Sequence, residues 1–327
     1  MSDLERRYLR LLRAYPADYR RSRGTEIVGT YLDLAAPGRR WPSTADAADL
    51  LRGGLRQRLR AAGVASLTPG VRLAALLSMV TASVLAGVWG TTELHPANIE
   101  WGVPHVGPFV SIGVIAWAGW LLAAIATAVA SRRIARLAIA LALLLTLALP
   151  PLAAVLDAFR PPLFVLLPQV ILGLLALALP DRPATAVRLA PLLSAVTAVA
   201  ATEYLVRPGD GLTYYGFTAL SFLPAVGGLL LVAGALLAMG LAIGGDTRGG
   251  WALVTLLTPA GFLAVPALGD AIDPIRGDVS FAALATSTIA VALAGPAVLL
   301  LTILARARLT LTTKRTDRHY PTSGAQS

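Results

Sequence analysis

The sequence predicts an all-α fold, a polytopic membrane helix bundle preceded by a small helical domain. Composition is the first ground: of 327 residues 56% are hydrophobic and only 14% charged, where a soluble domain carries about a quarter charged residues. Patterning is the second. From about residue 71 to residue 304 apolar runs of roughly 17–25 residues recur, each long enough to cross a bilayer as a helix. A third ground is an internal repeat. VRLAALLSMVTA at 71–82 returns as VRLAPLLSAVTA at 187–198, matching at ten of twelve positions after a shift of 116 residues. The same shift pairs Pro108 with Pro224, Arg132 with Arg248, Pro150 with Pro266, Asp157 with Asp273, Arg160 with Arg276 and Pro180 with Pro296. Pro, Asp and Arg are scarce in apolar runs, so these matches carry the weight that Ala, Leu and Val matches cannot. A repeat of this length is to be settled before other features are read.

In chain order, residues 1–65 form a polar segment. Leu4, Tyr8, Leu11, Leu12 and Tyr15 recur at helical spacing, and Pro16 ends that helix. Ile27, Val28, Tyr31 and Leu34 mark a second helix that stops before Pro37 and Gly38. A third starts at Ser43 or Thr44 as N-cap, with Asp46 in its first turn and an apolar stripe of Ala47, Leu50, Leu51, Leu55 and Leu59. The result is a three-helix cytosolic domain.

Eight spans follow, near 71–91, 107–130, 134–154, 163–179, 189–206, 218–243, 251–268 and 281–304. The repeat makes residues 71–180 one four-helix unit and 187–304 its copy. An even number of spans per copy gives both the same orientation, so the prediction is a 4+4 parallel duplication about an axis along the membrane normal. The glycines of span six (Gly227, Gly228, Gly234, Gly240) predict that it packs at the bundle centre. Residues 305–327 are polar and aperiodic and read as a disordered cytosolic tail.

Charge sets the orientation. The N-terminal segment, the 131–136, 180–188 and 244–250 loops and the tail hold 25 of the 28 basic residues. The opposite loops hold Arg160, Arg207 and Arg276 against eight acids, 3 − 8 = −5, while the first side carries 25 − 10 = +15. By the positive-inside rule both termini are cytosolic, in the cytoplasmic membrane. No apolar run precedes residue 71, so a cleavable signal is not expected.

Six residues are candidates for an outer ligand or ion-pair site. Asp157 with Arg160, and their copies Asp273 with Arg276, stand at a spacing of three that allows pairing on a helix face. They read either as a vestibule for an ion or polar solute or as helix-end ion pairs. Glu203, set deepest in a span, pairs in the same sense with Arg207, or else relays protons. Arg52, Arg56 and Arg60, every fourth residue before the first span, suit anionic lipid headgroups. His95 and His105 share a loop with Glu93 and Glu100, but their ten-residue spacing fits no compact metal motif, and no metal site is expected. Gln169 and the Thr286–Ser287–Thr288 run read as interhelical or intrahelical hydrogen-bonding groups.

Cysteine is absent, which removes disulfides and thiolate chemistry. No GxxxxGK[ST], HExxH or GxSxG occurs, so neither an ATPase core nor a hydrolase is expected, and no cofactor is implied. The basic arm lacks the aromatic interleaving of nucleic-acid binders, and no nucleic acid is expected as partner.

The run RYLRLLRAYPADYRRSRGTEIVGTYLDL, followed by DLLRGGLRQRLR and a span, resembles the helical prefix segments of uncharacterised bacterial integral membrane proteins. The resemblance covers about the first 60 residues, through Tyr15–Pro16, Tyr19–Arg20, Gly24 and Glu26. Some proteins of that group are permease-like and others act beside a transcriptional repressor. It implies a cytosolic regulatory role, with a cytosolic regulatory protein as partner; an ATPase subunit is the partner that transport would call for. The expected function is therefore sensing or regulation passed from the bundle to a cytosolic partner. The alternative is a transporter or permease-like subunit with its pathway between the repeats.

Overall fold

The structure is a computed structural model that describes residues 2–36, 38–61, 64–94, 106–180, 184–205, 214, 217–272 and 281–317. Among these the chain is helical throughout, apart from turns and one isolated bridge between Val106 and Phe109. It divides into two compact units, residues 1–67 with those from Leu300 on, and residues 68–299.

In the first unit α1 (Asp3–Leu11) opens with a capping box, in which Ser2 and Glu5 satisfy each other's backbone N–H. A 3-10 turn, Leu12–Ala14, leads to Tyr15, and Pro16 then caps α2 (Ala17–Asp33). The second helix thus starts some ten residues before its apolar stripe. Pro16 supplies the fixed extended entry, and Ala17–Arg23 need no buried face to propagate the helix. In α3 (Thr44–Ala61) Ser43 and Asp46 cap each other reciprocally. Leu4, Tyr8, Leu12, Tyr15, Val28 and Leu50 form the core of this unit. Gly54 exists for closeness, since a Cβ there would stand 2.6 Å from the Ala14 Cβ. Arg58 covers the carbonyls of Arg13 and Ala14, each at 2.6 Å. The predicted stripe of α3 splits: Leu50 is buried, while Leu51 and Leu55 face outward beside the exposed Arg52, Arg56 and Arg60.

Two tyrosine–carboxylate bonds lock this core, Tyr8 to Asp46 at 2.9 Å and Tyr31 to Asp49 at 2.5 Å. Hydrogen bonding from Ser43, and then from Tyr8, holds the Asp46 carboxyl below its usual range. Burial first, and the carboxylate bond second, pushes both phenols up. A lowered acid contributes stability above its unfolded value, about pH 4, and loses it as pH falls; a raised phenol contributes fully below about pH 10 and loses it above. Amide-exchange protection of residues 3–61 in the intact chain, corrected for intrinsic rate, is therefore expected to be flat between those limits and to fall on either side. Asp46→Asn should shrink the acid limb, and an unchanged limb would remove Asp46 as its cause.

The second unit holds α4 (Leu67–Leu94), α5 (Val114–Val129), α6 (Arg132–Leu156), α7 (Leu163–Ala176), α8 (Thr185–Leu205), α9 (Phe217–Ile243), α10 (Arg248–Ile272) and the first half of α11 (Phe281–Asp317). Six of these eight are long and apolar enough to cross a membrane, which makes the chain compatible with a multi-pass membrane protein. The other two, α5 and α7, have 16 and 14 residues. At about 1.5 Å per residue they fall short of a hydrocarbon core of ~30 Å. Pro108, Gly107 in the left-handed region at φ 62° and Gly113 explain why α5 starts at Val114 rather than near 107. Residues 110–113 of the intervening segment are buried, and their backbone is satisfied by neighbours, Val110 N–H by the Glu93 carbonyl and Ile112 N–H by the Phe159 carbonyl. Non-helical backbone is tolerated at such depth only when protein covers it.

The bundle centre differs from the sequence prediction. The apolar window of α4 is 61% buried and that of α10 56%, but that of α9 only 22%. In α9, Gly227 and Gly234 meet α10, whereas a Cβ on Gly228 or Gly240 would meet nothing within 4 Å. Half of the small-residue pattern therefore faces outward. Helix α11 also runs on to Asp317, past residue 305 where the sequence predicts a tail. Ala305–Leu309 are helix formers that continue a helix already nucleated.

Candidate functional site

α4 presents one buried face in which Ser78, Ala82, Leu85, Trp89 and Glu93 follow at spacings of three and four. Glu93, in its last turn, is fully buried. The chain returns through 106–113 and sets Ser111 against it: Ser111 N–H donates to Glu93 Oε2 at 2.7 Å and Ser111 O–H to Oε1 at 2.5 Å. Tyr214, between α8 and α9, donates to the same Oε1 at 2.5 Å.

With Glu93 ionised, the direction of every bond in this knot follows. Ser111 Oγ accepts from Gly113 N–H at 3.0 Å, and the Tyr214 oxygen accepts from Trp117 Nε1–H at 2.7 Å. Both hydroxyl protons are thereby left to point at Glu93, which accepts all three donors. Gly113 has to lack a side chain, because its Cβ would stand 2.8 Å from Glu93 Oε1 and against Pro161. The aromatic wall is completed by Trp89, whose ring lies 5.1 Å from Tyr214 and 6.0 Å, edge-on, from Phe222. A fully buried carboxylate at the end of a membrane-length helix is costly and defaults to a functional hypothesis. Here three donors from two segments offset that cost.

Below the knot, the same face of α4 carries unused polarity. Gln169 of α7 donates Nε2–H to the Ala82 carbonyl at 3.2 Å. Gln169 Oε1, Ser78 Oγ and Trp89 Nε1 are buried without a hydrogen-bond partner among the described residues. In α11, Thr286, Ser287 and Thr288 each bond back to their own helix.

The residues singled out from the sequence are placed elsewhere. α6 ends at Leu156, and Asp157 caps it in the left-handed conformation at φ 48°. Arg160 lies beyond the helix and donates to the Pro161 carbonyl at 3.0 Å. The two therefore leave the helical register that a spacing of three presumes, and no ion pair joins them among the described residues. Their copies Asp273 and Arg276 lie outside the described residues, as do Arg207, His95, Glu100 and His105. Glu203 is exposed on α8. Arg52, Arg56 and Arg60 are exposed on α3, in the first unit.

Glu93 is the one member of the knot that stands out in the sequence, as a neighbour of His95 and His105. It reads as a loop acid, and nothing in the sequence singles out Ser111, Trp117 or Tyr214. None of the four is repeated: a shift of 116 takes Glu93 to Gly209, Ser111 to Gly227 and Trp117 to Ala233, and takes Asn98 to Tyr214. A search guided by repeated residues passes over a site that only one copy contains. Comparison with models of known protein families, with curated proteins and with solved structures finds no match.

Proposed function

We propose that this chain is an integral protein of the cytoplasmic membrane that senses or regulates, passing the state of its helix bundle to a cytosolic partner through residues 1–65. The observation that carries the reading is the Glu93 knot, which ties Tyr214 of the second half to α4 and α5 of the first. A buried, directionally fixed network linking two halves is the kind of element that holds one of two arrangements, which a sensor needs. The N-terminal unit supports it with a core of its own, as a domain built to meet a partner would have.

A 4+4 parallel duplication underlies this reading. Its supports are the repeated residues and the helix ends: 132 + 116 = 248 and 156 + 116 = 272, the bounds of α6 and α10. In both halves the corresponding antiparallel pair packs together, α5 on α6 and α9 on α10. With Arg on one side of the spans, both termini are cytosolic. Arg52, Arg56 and Arg60, with Leu51 and Leu55 beside them, then lie where anionic headgroups are in reach.

Transport is the second reading, favoured by the line of unpartnered polar atoms along α4, Ser78, Gln169 and Trp89. One experiment separates the two. The full chain carries a photoreactive residue in place of the exposed Arg21 of α2, with and without Tyr214→Phe. Sensing predicts a discrete soluble partner whose crosslinking yield changes several-fold with Tyr214→Phe. Solute uptake by vesicles containing the chain, altered by Tyr214→Phe while crosslinking stays the same, would replace sensing with transport.

A further inference from the structure

In the first unit α1 and α2 form an antiparallel hairpin. Tyr8 packs on Tyr31, with ring centroids 5.5 Å apart, while Leu12 approaches Gly24. Along this hairpin runs a groove of about 500 Å³. Leu12 and Val28, both buried, form its floor, and Leu9, 41% exposed, stands at its rim. Glu5 and Arg20 also line it, at opposite ends: the pairing of Tyr8 with Tyr31 and of Leu12 with Gly24 puts Glu5 beyond the first pair and Arg20 beyond the second. Arg20 is half-buried, and its guanidinium has no partner among the described residues. Glu5 accepts Ser2 N–H on Oε2 at 3.2 Å and keeps Oε1 for another donor.

Two glycines keep the groove open. Gly24 and Gly29 both lie inside α2 without a left-handed φ, in a setting where glycine costs helix stability relative to alanine. Internal packing does not require them. A Cβ on Gly29 would meet nothing within 4 Å, and one on Gly24 would make only an ordinary contact of 3.7 Å with Leu12 Cδ1. A bare helix face that the unit itself leaves unused gives a second helix room to come close.

We propose that the groove is filled by the same groove of a second copy of this chain. A two-fold contact has to be self-complementary, each residue meeting its opposite number twice. The charges here satisfy that condition: a two-fold axis set across the groove lays Glu5 of each copy against Arg20 of the other, with the Leu9 rims beside the bare face of α2. Two like charges at the ends would repel instead. The nine lining residues are fewer than the ~20–30 a side of an interface of standard size. Pairing therefore depends on both copies being held in one bilayer, which raises their effective concentration. The inference stands apart from the sensing reading, since copies can pair whether or not a soluble partner exists.

The test uses the intact chain in liposomes, with energy transfer between donor- and acceptor-labelled copies as readout. The chain has no cysteine, so a single Ser22→Cys at an exposed position of α2 carries the label. Copies with no other change are expected to associate. Arg20→Glu alone, or Glu5→Lys alone, should weaken association about tenfold. Glu5→Lys also removes the acceptor of Ser2 N–H, so the deciding sample mixes the two single variants. Opposite charges then face each other at both ends, and association should return. Gly29→Leu fills the groove without a clash inside the unit and should abolish pairing. A chain that stays monomeric at every density, or that pairs equally well with Gly29→Leu and with Arg20→Glu, would overturn the proposal. So would a monomeric chain whose groove-lining Thr25→Cys is shielded from maleimide only when soluble extract is added, because a foreign protein would then be the occupant.

Discussion

Glu93→Leu is expected to destabilise the bundle more than any other single replacement of an ionisable residue described above. The leucine fills the space but accepts nothing, so Ser111 N–H, Ser111 O–H and Tyr214 O–H are left buried and unpaired. At about 1–3 kcal/mol for each stranded donor, with partial relief as the hydroxyls turn, the cost is on the order of 3–5 kcal/mol. For a unit of this size that lowers the thermal midpoint by on the order of 10 °C. Glu93→Gln should cost less, since Oε1 can still accept, but its amide N–H is set against a donor. The contrast is with Glu203→Gln, exposed on α8, where a surface change of within about 0.5 kcal/mol is expected. Melting of the detergent-solubilised variants checks the order. A Glu93→Leu chain melting with the native one would show that the knot contributes nothing to stability.

The second large effect is steric. A Cβ on Gly87 would lie 2.8 Å from the Ala195 carbonyl oxygen and 3.1 Å from the Ala198 Cβ, so α4 and α8 meet there backbone to backbone. A carbonyl cannot rotate away as a side chain can. Gly87→Leu must part the two helices, at about 3 kcal/mol or more. Gly228→Leu on α9 is the matched control: nothing lies within 4 Å of its Cβ, and it should be near neutral in melting and in yield. Equal loss in both variants would mean that α4 and α8 are not held together at Gly87.

Neither contact is legible in the sequence, but much of the helical framework is. Helices of membrane length follow from apolar runs, because the cost of unpaired backbone in lipid leaves a spanning segment almost no alternative. The spans expected near 134–154 and 251–268 lie inside α6 and α10. The reciprocal Ser43–Asp46 cap is likewise local and was legible. Span six lies away from the bundle centre because glycine content says that close approach is possible but not which side of the helix meets a neighbour. Gly227 and Gly228 are adjacent in sequence, yet only the first touches α10. Asp157 and Arg160 do not form a helical pair, because a spacing of three has meaning only while the helix continues, and α6 stops at Leu156.

By itself, then, the amino-acid order determined the character of most segments: helix or turn, apolar or charged. Those properties depend on neighbours within a few residues. Only tertiary structure decided that Glu93, Ser111, Trp117 and Tyr214 meet. Two of them are 121 residues apart, and no periodicity connects them. Hydrogen bonds select partners by distance in space and by the cost of a stranded donor, and neither quantity is written along the chain.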